Sequence, residues 1–145
     1  MKSGASLVIL GWLLYVAVGH AHHSFYAYFD FRGRVTVEGV ITEVRMASPH
    51  SRITMEVEND QDELETWLIE TSSGVSLANN GWTKDTVPVG FKVTALGFPS
   101  HSGRPIMELI QFTFEDGREV RGNVCSTSGT IDCSVDRYLK PTEAN

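Results

Sequence analysis

The sequence predicts an all-β protein: one small barrel of five strands with a single short helix between the third and fourth. Three observations point there. Apolar and polar residues alternate with period two over several short stretches, as half-buried strands require. Turn-forming groups separate those stretches, among them Asn59–Asp62, Pro88 with Gly90, and His101–Arg104. One stretch, Ser72–Gly81, breaks the alternation, and it offers capping serines at its start and a glycine stop at its end.

Residues 1–21 read as a secretory signal. Lys2 supplies the positive charge, Leu7–Val18 (LVILGWLLYVAV) the apolar core, and Gly19 and Ala21 the small residues of a cleavage site. That core is 12 residues long, short of the roughly 20 that span a membrane. The expectation is therefore a soluble periplasmic or secreted protein with no membrane attachment after cleavage. Five aromatics follow closely (Phe25, Tyr26, Tyr28, Phe29, Phe31) and need a surface to pack on. The first strand spans Val35–Met46. Its pattern changes phase near Gly39, with Val35 and Val37 on one face and Val40, Val44 and Met46 taking over, as at a β-bulge. In the second strand Ile53, Met55 and Val57 alternate with Arg52, Thr54, Glu56 and Glu58. Glu65–Glu70 returns as its hairpin partner. Ser72–Gly81 holds about two helical turns. Trp82 then leads to Phe91–Phe98, whose Phe91, Val93 and Ala95 share a face, and Ile106–Phe114 closes the set. This is the element order of an OB-like barrel, with the helix plugging one end. An open β-sandwich is the competing architecture. The predicted organisation is a signal (1–21), a barrel domain (22–114) and a polar C-terminal tail (115–145).

Cleavage would leave 124 residues, enough for one core and too few for two. It would also remove Lys2, leaving 11 basic residues against 18 acidic ones, a net charge of about −7. An acidic chain without a basic stripe argues against nucleic acid, where phosphate neutralisation dominates affinity. Cys125 and Cys133 lie eight apart in a Ser/Gly/Thr-rich stretch. In an oxidising compartment they read as a disulfide, worth roughly 2–3 kcal/mol by loop entropy. A thiolate metal site is the rival; the lack of any histidine after His101 disfavours it.

Taken together, Ala21-His-His-Ser-Phe25 with Asp30, Ser48-Pro49-His50, Trp67, Glu70, Leu77, Gly81-Trp82, Gly90, Val93, Gly97, Pro99 and Gly103 resemble a family of small exported bacterial proteins known only as a domain of unknown function. The resemblance covers residues 21–114 and implies export and a β-barrel, with no activity attached. The chain departs from the family pattern at Ser48, where asparagine is common, at Phe91 and at Asn79-Asn80.

Cleavage after Ala21 would expose His22-His23. A terminal amine titrates near pH 8 rather than 10.4, and beside an imidazole it forms a chelate suited to copper, zinc or nickel. His50, held by Ser48-Pro49, is the expected third metal ligand, with His23 as substitute; an ordinary turn histidine is the plainer reading. His101 sits in a more exposed turn. Phe25, Tyr26, Trp67 and Trp82 could line a ligand face, although core packing explains the tryptophans more simply. No Gly-x-Ser-x-Gly elbow or ordered acid partner supports a nucleophile. Glu63, Glu65 and Glu70 read as solvated strand carboxylates. The expectation is an exported binding protein rather than an enzyme, with copper as its cofactor through the mature N-terminus. The alternative is a metal-free module for a protein partner or small ligand. A copper oxidase or oxygenase is the least favoured class.

Overall fold

The computed structural model describes residues 25–122, with side chains from residue 27 onward. Residues 1–21, read from the sequence as a signal, together with His22, His23, Cys125, Cys133 and the side chains of Phe25 and Tyr26, lie outside the described residues. The elements are α1 (Phe25–Tyr28), β1 (Val35–Arg45), β2 (Ser51–Glu58), β3 (Leu64–Thr71), α2 (Gly74–Asn79), β4 (Lys92–Pro99), β5 (Ile106–Phe114) and β6 (Glu119–Arg121).

The predicted barrel is the observed one. β1 pairs antiparallel with both β2 and β4, β2 with β3, and β4 with β5. A parallel β3–β5 seam of three residue pairs closes the ring, giving the OB arrangement. β2 shows why these residues make strands: Ser51, Ile53, Met55 and Val57 are buried while Arg52, Glu56 and Glu58 are exposed. The inner faces meet in one apolar core of Ile41, Ile53, Met55, Ile69, Leu109 and Phe112, among others. α2 contributes Leu77 to that core. Its start is capped by Ser73, whose hydroxyl accepts the Ser76 N–H at 3.3 Å. Gly81, at φ +87°, turns the chain away after its last residues.

Two features differ from the sequence pattern. The phase slip in β1 lies at Thr42, not Gly39. Val35, Val37, Gly39 and Ile41 keep one phase, and the register then shifts between Ile41 and Glu43. Gly39 is glycine for another reason: a Cβ there would lie 2.3 Å from the Glu56 carbonyl oxygen of the neighbouring strand. Val40 and Met46, expected inside after the slip, are exposed. The sheet also runs past residue 114, because β6 pairs with β5 from Gln111 to Thr113 within the stretch read as a tail.

The aromatic segment packs on the outer barrel wall. Phe29 is buried and bridges to Ser100. The Phe31 ring lies 4.6 Å from that of Phe98, which points outward from β4 and also carries the Arg34 guanidinium 4.3 Å from its centre. That covering explains why Phe98 is fully buried on a strand face that sequence alternation would leave wet.

Candidate functional site

The register across four strands sets a row of charged side chains on the outer wall. Arg45 of β1 stands opposite Arg52 of β2, Arg52 opposite Glu70 of β3, and Glu70 beside Glu108 of β5. The bulge at Thr42 creates the first pairing. Without it, strict alternation from Ile41 would turn Arg45 toward the core; the extra residue re-aims it outward. Arg52 Nε donates to Glu70 Oε1 at 3.2 Å. Among the described residues Arg45 has no carboxylate partner.

The β1–β2 turn stands over this row. Ala47 accepts the Gly74 N–H at 2.8 Å, its own N–H reaches the Ser51 hydroxyl at 3.3 Å, and Ser51 N–H donates to Ser72 O at 3.1 Å. These bonds tie the turn to the start of α2. The turn includes a cis Ser48-Pro49 peptide. A cleft of about 160 Å3 opens there, lined by Arg45, Ala47, Ser48, Pro49, His50 and Arg52. It is smaller than the roughly 300–1,000 Å3 clefts that take drug-sized molecules, and its size suits a carboxylate- or sulfate-sized group.

His50 therefore sits where the sequence places a ligand, but its neighbours are two guanidiniums. Fixed positive charges oppose a metal cation and attract an anion. Among the described residues no three His, Cys, Asp or Glu side chains gather as a metal group would need. The start of the described chain lies beside the other turn histidine: His101 N–H donates to the Tyr28 carbonyl at 3.0 Å, and Asp30 N–H to Pro99 O at 2.9 Å. The Arg32 N–H, 2.9 Å from Asp30 Oδ1, holds that carboxyl below its ordinary range, and nearby His101 acts in the same direction.

Glu108 is a residue that sequence reasoning misses. It is fully buried, and neither carboxylate oxygen has a hydrogen-bond partner among the described residues. Burial pushes its carboxyl well above the ordinary range, and the Glu70 charge adds to the effect. The one signal in the sequence is a lone carboxylate inside an otherwise uncharged strand, IMELIQFTF. Glu70 is not simply solvated: its side chain is 19% exposed and held by Arg52.

The two described tryptophans, Trp67 and Trp82, pack against the core. Trp82 is buried in the core and its indole N–H donates to Arg121 O at 3.1 Å. Trp67 packs against the core and donates to Glu65 at 2.8 Å. Trp82 does border a more open hollow of about 320 Å3 between the end of α2 and β6. Asn80, Thr86, Glu119 and Arg121 also line it, a mixed set in which one acid accompanies one guanidinium, unlike the two guanidiniums and imidazole of the β1–β2 cleft.

Fold and cleft together define a small OB-type barrel module with an arginine-lined recess on its outer wall. The chain belongs to the family of unknown function DUF6152, whose model matches residues 13–107. That span includes both arginines, His50 and Glu70. No curated protein and no solved structure matches the chain.

Proposed function

We propose that the protein is an exported binding module, not an enzyme, and that its β1–β2 cleft holds an anionic group of a small ligand or protein partner. In this reading residues 1–21 are removed, the barrel works in the periplasm or outside the cell, and the cleft needs no metal. The observation that carries it is the pair Arg45 and Arg52, directly opposite one another, with Glu70 paired to Arg52 on its far side and no carboxylate on Arg45 among the described residues. Like charges in register destabilise a sheet, and an anion bridging both guanidiniums would relieve that repulsion. OB barrels place ligands against the strand 2–3 face and the flanking loops, which is where this cleft opens. Fold analogy alone would not identify a ligand; the two guanidiniums supply the chemistry.

Sulfate titration followed by backbone amide NMR tests it. The shifts should centre on residues 45–52, and Arg45→Ala and Arg52→Ala should each weaken binding about tenfold, the scale of one charge-assisted hydrogen bond. Binding that ignores Arg45→Ala would sink the proposal.

A second reading keeps copper at the mature N-terminus, and the path of the chain favours it. Tyr28 is fixed beside His101, and six residues of chain reach at most about 20 Å, so His22 falls within range of that turn. Protein starting at His22 should then bind Cu(II) more tightly than protein carrying one extra N-terminal residue, with affinity falling as pH drops. His101→Ala should weaken binding and His50→Ala should leave it unchanged. Equal copper affinity in the authentic and extended forms would eliminate the chelate.

A further inference from the structure

Arg52 is shared. The guanidinium carries five N–H donors, and its Nε holds Glu70 while the residue also lines the cleft. Glu70 stands beside Glu108 across the parallel seam, where neighbouring strands run about 4.8 Å apart. Among the described residues Glu108 has no hydrogen-bond partner to offset a charge. Phe98 stands opposite Glu108 in the β4–β5 register, and Arg34 lies over its ring while donating to the Phe31 and Gly33 carbonyls at 3.1 and 2.7 Å. Two adjacent carboxyls with a single cation between them and the cleft cannot both ionise cheaply.

We propose that anion binding in the β1–β2 cleft is coupled to proton uptake at the Glu70–Glu108 pair. An anion seated against Arg45 and Arg52 draws on the charge that now compensates Glu70. Glu70 then faces Glu108 with weaker compensation, and a proton from solvent restores the balance on the pair. No covalent bond changes; the anion and one proton enter together. By linkage the anion must bind more weakly as pH rises. This inference rests on the anion-binding reading of the cleft.

Sulfate is the probe, because it does not itself titrate between pH 5 and 8. Its Kd in the intact protein should rise at least about threefold across that range, within the limit of tenfold per pH unit for one fully coupled proton. Glu70→Gln should bind sulfate more tightly, since Arg52 is released, and should lose the pH dependence. Glu108→Gln should lose most of the dependence while still binding. His50 also borders the cleft, so His50→Gln is the deciding comparison: the slope should survive in it. A slope abolished by His50→Gln but kept in Glu70→Gln and Glu108→Gln would place the proton on the imidazole and overturn the coupling alone. Absence of sulfate binding to the unsubstituted protein at every pH would overturn the anion reading, and the coupling with it.

Discussion

Gly97→Ala is expected to lower the unfolding midpoint by roughly 10–20 °C. A Cβ at this position would lie 2.5 Å from the Glu108 carbonyl oxygen and 2.6 Å from Met107 Sδ. The thioether can swing aside, but the carbonyl belongs to β5 and cannot move without spreading the β4–β5 pair. Gly97 also stands opposite Val35 on its other side, so a shift of β4 away from β5 presses it into β1. Overpacking that moves backbone costs about 1–3 kcal/mol, and the upper end applies where two strands confine the residue. For a domain of this size each kcal/mol moves the midpoint by about 4–8 °C. Gly103→Ala is the control. No atom lies within 4 Å of the point where its new methyl would sit, and only its φ of +69° resists substitution, a cost of about 1–2 kcal/mol. Calorimetry on both variants decides it: a Gly97→Ala midpoint within about 3 °C of the parent would refute the close-packing account.

Glu108→Met should stabilise the fold, and by more at pH 8 than at pH 5. Methionine keeps the length of the side chain and removes two buried oxygens that lack partners. An unsatisfied buried polar group costs about 1–3 kcal/mol, which sets the expected gain. The pH dependence follows from the raised carboxyl. In the unfolded chain Glu108 titrates near its ordinary 4.5, while the folded state holds the proton to higher pH. The parent's stability from this group is therefore full below 4.5 and declines as pH rises toward the folded value. Methionine does not titrate, so the difference between variant and parent widens over the same range. Arg52 and Arg34 are present in both proteins, while the repulsion from Glu70 on β3 is removed together with Glu108 and forms part of the measured gain. Urea denaturation at the two pH values measures the effect. A gain that is the same at both would show that Glu108 is ionised in the fold.

The strands are legible in the sequence because each buries one face against a single core. Ile53, Met55 and Val57 alternate cleanly, and Ser73 caps α2. The site is less legible, for a physical reason. It lies on the outer wall, where inward–outward alternation carries no information about which polar residues meet. Arg45, Arg52, Glu70 and Glu108 are separated by up to 63 positions, and only strand register brings them into one row. That register depends on a bulge at Thr42, marked in the sequence only by the three-residue spacing of Ile41 and Val44, while the more conspicuous Gly39 stays in phase to admit a neighbour's carbonyl. His50 stands out by residue type. The two guanidiniums that change its meaning emerge only from the pairing.

The sixth strand bears on how a partner could dock. β3 occupies one edge of β5 over Ile106–Glu108, and β6 takes up pairing over Gln111–Thr113. The ladder groups of β5 are thus spoken for along most of its length, and a visiting peptide finds no template there for adding a strand. Recognition by main-chain pairing is closed off at this edge. Whatever docks on this part of the wall must be selected by side-chain chemistry, which confines mutational change of specificity to a few exposed positions and leaves the barrel's frame untouched.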